Sequence, residues 1–119
     1  MNSIDDIRQA IDDYATERDW NQFHTPKNLA MALSVEASEL LEIFQWLTAE
    51  ESQQLTSEKQ QQAKHELADI FVYLIRIADK LDVDLIEAVN EKMVINRQKY
   101  PADQVKGSAK KYNEYPDNS

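Results

Sequence analysis

Apolar residues recur with a helical period along most of this chain, and four stretches carry the pattern. Ile4, Ile7, Ile11 and Ala15 make a narrow stripe over 3–17, with Ser3 as N-cap and Asp5 and Asp6 in the first turn. Thr25 followed by Pro26 opens a second helix running to about Leu47, because proline suits the first helical position. After a polar connection over 48–56, Ser57 and Gln60 have the spacing of a capping box and start a third helix over roughly 58–81. Asp84 and Glu87 cap a fourth helix, which ends near Tyr100 because Pro101 cannot extend it. One Gly and three Pro leave little punctuation for short strands. The pattern predicts an all-α, four-helix-bundle-like single domain over 1–119, with 102–119 as an extended C-terminal tail.

Two of these stripes are interrupted by acids. Glu36 and Glu39 stand three residues apart on the second helix, and Glu66 and Asp69 repeat that spacing on the third, so each pair shares one face. At about 100° per residue, Leu29, Leu33, Leu40 and Leu47 fall within about 60° of Glu36, and Ile70, Tyr73 and Ile77 within about 40° of Glu66. Carboxylates on core-facing lines are costly unless their charge is compensated, and four facing one another repel. A hard, oxygen-seeking cation, Mg²⁺ or Mn²⁺, resolves both problems. The blander alternative is that the acids sit at helix edges. Glu42 rotates to about 120° from Glu36 and reads as a solvated charge.

Other stretches add candidates of a different kind. Trp20, Asn21, Gln22, Phe23 and His24 form an irregular connection that is either a hydrophobic plug or a ligand wall. The run Ile70–Ile75 is apolar nearly all round, with Phe71 and Ile75 almost opposite Glu66. A second buried face in so small a chain predicts a homo-oligomer, a dimer at least. Leu85 and Val89 begin an inward line on the fourth helix that continues through Lys92 and Asn96, which are either phosphate or sugar ligands or, for Lys92, a snorkelling ammonium.

Composition narrows the chemistry. Without cysteine there is no thiolate metal site, disulfide framework or thiol nucleophile. Neither His24 nor His65 has a Glu three residues before it, which disfavours a helical di-iron site. A Walker-type phosphate loop needs glycines that the chain lacks. The net charge of −9 argues against a nucleic-acid polymer as partner, yet cations on a carboxylate cluster still attract a nucleotide's phosphates. No membrane-spanning run and no basic leader at Met1–Asp6 are seen, so the expected location is cytoplasmic.

The order of these motifs resembles one known family. Glu17-Arg18-Asp19-Trp20, Phe23-His24, Pro26-Lys27-Asn28-Leu29, the Glu36/Glu39 pair and Phe44-Gln45-Trp46 open the match. Glu66-Leu67-Ala68-Asp69, Tyr73-Leu74, Val83-Asp84-Leu85, Lys92-Met93, Ile95-Asn96-Arg97, Tyr100-Pro101, Gly107-Ser108 and Lys111-Tyr112 continue it. The chain looks like the MazG-like all-α nucleoside triphosphate pyrophosphohydrolases, most closely their dCTP pyrophosphatase branch. That resemblance implies a Mg²⁺-dependent cleavage between the α and β phosphates of dCTP or related, including modified, deoxynucleotides, in house-cleaning or nucleotide-pool control. It implies Glu36, Glu39, Glu66 and Asp69 as metal ligands, with Glu39 also positioning or deprotonating the attacking water. The Trp20–His24 segment, Trp46 and Tyr73 would enclose the base, and Lys92, Asn96 and Arg97, helped by Lys110 or Lys111, would contact phosphates or sugar. Family likeness also implies a homodimer or homotetramer with sites between subunits. Two departures stand out: Val35 precedes Glu36 where the wider family often has adjacent acids, and Ile11 stands where animal relatives place a substrate-facing histidine. A metal-dependent nucleotide-binding helical module without efficient turnover is the alternative.

Overall fold

The computed structural model describes residues 3–108, which form six α-helices and one 3₁₀ turn with no strand among them. Residue contacts gather into two units, Met1–Val83 and Asp84–Ser119. The first holds α1 (Ile4–Glu17), the 3₁₀ turn Asn21–Phe23, α2 (Pro26–Phe44), α3 (Ala49–Ser52) and α4 (Ser57–Lys80). The second holds α5 (Leu85–Lys99) and α6 (Ala102–Val105).

Within the first unit, α4 is the central helix, packing mainly on α2 and also on α1. Ala15, Leu29, Ala63, Ile75 and Ala78 are its buried apolar residues, and three alanines among five allow close approach of the helices. The stripe of α1 behaves as its spacing predicts: Ile4, Ile7 and Ile11 are half-buried and Ala15 is 1% exposed. The apolar run of α4 is used differently from the expectation. Ile75 is 2% exposed and so already buried within this chain, whereas Phe71 remains 41% exposed.

Caps set the helix starts. Ser3 Oγ accepts from the Asp6 N–H at 3.1 Å, and Thr25 Oγ1 from the Asn28 N–H at 3.2 Å. The cap of α4 is Thr56 rather than the expected Ser57: Thr56 is extended and its Oγ1 accepts from the Lys59 N–H at 3.2 Å, leaving Ser57 as the first helical residue. Nor does α2 reach Leu47. It stops at Phe44 because Thr48 is extended and begins α3 through a reciprocal capping box with Glu51, so part of the 48–56 connection is helical.

The ends of α1 and α4 are built alike. Asp19 and Asp82 each take φ of 55°, the left-handed conformation that closes a Schellman motif. The Trp20 N–H reaches the Ala15 carbonyl at 2.9 Å, and the Val83 N–H reaches that of Ala78 at 2.9 Å. In this glycine-poor chain, aspartate occupies the position glycine usually takes. The turn at Asp19 is what delivers Trp20 and His24 to the face of α4.

In the second unit, Asp84 Oδ1 caps α5 by accepting from the Glu87 N–H at 3.0 Å, and the helix ends at Lys99, ahead of Pro101. Leu85 is half-buried and Val89 is exposed, so with Lys92 and Asn96 on the same line this is not the enclosed stripe that the sequence suggested. The expected extended tail begins as the helical turn α6, and Gly107 follows with φ of 80°. Lys110, Lys111 and Tyr112 lie outside the described residues. Among the described residues, no helix is long and apolar enough to cross a membrane.

Candidate functional site

Glu36 and Glu39 project from α2 and Glu66 from α4, where these helices pack together. One carboxylate oxygen from each lies within 4.8 Å of the others, and all three residues are half-buried. Glu36 Oε2 and Glu66 Oε2 are buried without a hydrogen-bond partner. A buried, unsatisfied carboxylate oxygen is strongly unfavourable, and two in one cluster call for a positive charge. Among the described residues no Lys or Arg forms an ion pair with these acids. The donor set is oxygen only, with two orphaned acceptors, and fits a hard divalent cation. Asp69, one turn beyond Glu66, is exposed and stands outside the group of three.

Crowding shows in the protonation of the cluster. The neighbouring Glu66 carboxyl, then burial, then Glu39 push the Glu36 carboxyl up to about 8. Burial, helped by Glu36 and Asp69, also raises the Tyr73 phenol. A bound cation would reverse the trend at Glu36 by stabilising its charged form.

Two depressions flank the carboxylates. One, of about 590 Å³, has Tyr14, Trp20, His24, Val72 and Tyr73 in its wall, with Glu36, Asp69 and Arg76 also facing it. The other, of about 370 Å³, is lined by Glu39, Glu42, Ile43, Lys59, Gln62 and Glu66. Tyr14 and Trp20 meet edge to face at 5.7 Å between centroids, the Trp20 and His24 rings lie 6.4 Å apart, and the Arg18 guanidinium sits 3.6 Å over the Tyr14 ring. The segment after α1 is therefore not a packed plug: Trp20, 42% exposed, and His24 line the larger depression, whereas Phe23, 58% exposed, lines neither.

The residues singled out from the sequence are distributed unevenly around this site. Trp20, His24, Tyr73, Glu36 and Asp69 share the first depression, and Glu39 and Glu66 the second. Asn21 and Gln22 are engaged within the protein: Asn21 Nδ2 donates to Thr16 Oγ1 at 3.1 Å and its Oδ1 accepts from Arg76, and Gln22 Nε2 donates to the carbonyl and carboxylate of Asp19, each at 3.1 Å. Trp46 is 88% exposed, in the turn after α2, and lines neither depression. Lys92, Asn96 and Arg97 lie on α5 in the second unit.

Sequence reasoning missed Arg76, which is 2% exposed. Its signal was available: it is a lone cation between Ile75 and Ile77, and seven residues after Asp69 put it within about 20° of that acid on the helix. The guanidinium holds Asp12 Oδ1 at 2.8 Å, His24 Nδ1 at 3.2 Å and Asn21 Oδ1. Lys59 and Gln62 were missed because their position, one to two turns before Glu66, looks like an ordinary polar face.

Comparison with known proteins gives three concordant results. A family profile described as the MazG-like family matches residues 31–115. The chain is 45% identical to dCTP pyrophosphatase 1 of Homo sapiens over 116 residues, covering 96% of this chain and 68% of that protein. For dCTP pyrophosphatase 1 of Bos taurus the identity is 45%, covering 96% and 69%. A crystal structure of a pyrophosphatase from Archaeoglobus fulgidus superposes with a TM-score of 0.78 at 37% identity, covering 82% of this chain and 91% of that one.

Proposed function

Since this chain belongs to the MazG-like family and is a nucleoside triphosphate pyrophosphatase, we propose that its substrate is dCTP or a related, including modified, deoxynucleotide. In this reading one water is consumed at the α–β phosphoanhydride, giving the nucleoside monophosphate and pyrophosphate. The observation that carries it is the three-carboxylate cluster with two orphaned buried oxygens, set between an aromatic depression and a polar one. The names of the relatives supply the nucleotide, and the cluster supports the chemistry.

The ion assigned to the cluster is Mg²⁺, with Mn²⁺ as a substitute, held by Glu36, Glu39 and Glu66 with Asp69 at the edge. When bound, such an ion neutralises the developing charge on the phosphates and the leaving pyrophosphate. Glu39 faces the polar depression, where it positions the attacking water and accepts its proton. Trp20, His24 and Tyr73 enclose the base, and stacking on aromatic faces supplies affinity with little sequence preference of its own. Lys92, Asn96 and Arg97 are assigned to phosphate or sugar. Exposed Leu67, Phe71 and Trp46 support association with a second copy, as a homodimer or homotetramer.

Product analysis across a panel of triphosphates with Mg²⁺ tests the proposal. Monophosphate with pyrophosphate is expected, and dCTP should rank among the better substrates. Diphosphate with orthophosphate would overturn the cleavage position. Nucleotide binding with no product would reduce the protein to a binding module.

A further inference from the structure

The most enclosed charged side chain of the first unit lies outside the carboxylate cluster, and the pyrophosphatase reading has no use for it. Arg76 is 2% exposed. A buried guanidinium is tolerated when its nitrogens find acceptors, and here each of the three nitrogens donates one bond. Nη1 donates to Asp12 Oδ1 at 2.8 Å, Nη2 to Asn21 Oδ1, and Nε to His24 Nδ1 at 3.2 Å. The first two contacts anchor α4 to α1 and to the 3₁₀ turn. The third does something more specific.

Arginine has five donors, no acceptor and no accessible deprotonation. Its Nε–H can only donate, so Nδ1 of His24 must offer a lone pair. In a neutral imidazole the single proton then resides on Nε2. Burial, with the Arg76 charge second, lowers the His24 pKa, which keeps the ring neutral. Among the described residues no protein group bonds Nε2, and His24 lines the aromatic depression beside Arg76 and Tyr73. The ring therefore has one committed nitrogen and one free N–H donor. Asn21 cannot share that task, since its side-chain oxygen is held by Arg76 and its nitrogen by Thr16.

We propose that Arg76 is a positioning residue for base selection: it fixes His24 as an Nε2–H donor that pairs with an unprotonated ring nitrogen. Cytosine presents such a lone pair at N3, whereas uracil and thymine carry N3–H, which would confront donor with donor. The inference rests on the nucleotide reading for its ligand, but the Arg76–His24 bond stands apart from it. It also couples two parts of the site through one helix, because α4 carries both Glu66 and Arg76.

Long-range ¹H–¹⁵N correlation spectra of the wild-type protein should show His24 protonated at Nε2 and not at Nδ1. A proton on Nδ1 would overturn the inference without any substrate. The second readout is the ratio of dCTP to dUTP, measured both as Kd by calorimetry and as kcat/KM. Arg76→Gln should lower that ratio about tenfold, the scale of one donor left unpaired. His24→Phe should lower it as much, and the double variant no further. Arg76→Lys, whose ammonium can likewise only donate, should retain part of the ratio. If Arg76→Gln weakens both nucleotides equally with the ratio intact, Arg76 is only a structural anchor. Absence of pyrophosphate release from either nucleotide would sink the proposed reaction alone, because tautomer and Kd ratio would still decide this inference.

Discussion

The two depressions beside the carboxylates are built from opposite materials. The larger takes its wall from α1, the turn after it and the C-terminal half of α4, with aromatic rings in edge contact. The smaller lies between α2 and the N-terminal half of α4 and carries three glutamates with one lysine and one glutamine. A ligand matching both sides has a flat apolar end and a multiply charged end that reaches the acids through cations. The same cluster borders both depressions, Glu36 facing one and Glu39 and Glu66 the other. In the proposed reading, binding of the base and handling of charge should be separable by mutation, although the two depressions meet at one set of oxygens.

Removing the shared element should have the largest effect. Glu66→Gln and Glu36→Gln are each expected to reduce kcat/KM by more than about 10³-fold, since each takes a negative ligand from a three-carboxylate set. Both should raise the thermal midpoint of the metal-free protein at neutral pH, because the crowding of carboxyls that holds a proton on Glu36 is relieved. Activity loss together with lower apo stability would mean that the acids are structural. Next come the two sides separately. Trp20→Ala should raise KM about tenfold with little change in kcat, the scale of one lost stacking platform. Lys59→Ala should leave the dCTP-to-dUTP ratio alone while weakening inhibition by pyrophosphate about threefold, as expected for one half-buried charge that solvent still screens. If Lys59→Ala alters base preference, the division of labour between the depressions fails.

Protonation separates the regions by sign. The folded protein holds the Glu36 proton up to about 8, against an ordinary value of 4.5. The folded state therefore binds this proton more tightly than the unfolded chain does. The corresponding stability is complete below pH 4.5 and is lost as pH rises through about 8. Asp12 behaves oppositely: its hydrogen bond to Arg76 lowers its pKa, so its contribution disappears as pH falls through that lowered value. Thermal melts of metal-free protein should show a midpoint declining from pH 5 to about 8, and Glu66→Gln should flatten that decline. Adding Mg²⁺ at the alkaline end should restore the midpoint. A flat profile in metal-free protein would remove the crowded cluster from the account.

Much of this arrangement was legible because periodicity reports faces. Leu29 and Ala15 fall where their stripes put them, and the three glutamates interrupt apolar lines that do meet. Asp69 shows the limit: a three-residue offset turns a side chain by about 60°, enough here to move it from the cluster to the rim of the aromatic depression. The lone cation in an apolar run marked Arg76, but its role was not legible, because it gains meaning only from Asp12, Asn21 and His24, which lie 52 or more residues away in sequence. Ile75 misled for a related reason. An all-round apolar helix reads the same whether its far face meets α1 or a second copy, and only tertiary packing assigns it.

The smallest expected effects concern the turn that delivers Trp20 to the aromatic side. Asp19 and Asp82 adopt the same left-handed conformation, so glycine should relieve similar strain at both, about 1 kcal/mol each. Glycine also gives the unfolded chain more freedom, which takes back roughly half of that. Asp82→Gly should therefore stabilise by about 0.5 kcal/mol, a rise of about 2 °C in midpoint. Asp19→Gly should gain nothing, because its carboxylate accepts from Gln22 at 3.1 Å and losing a hydrogen bond costs about 0.5–1 kcal/mol. Its backbone bonds survive the change, notably Trp20 N–H to Ala15 at 2.9 Å, so KM should shift less than about twofold. A larger rise in KM for Asp19→Gly, with Asp82→Gly unaffected, would show that Gln22 and the Asp19 carboxylate hold the aromatic wall in place, and not the Schellman turn alone.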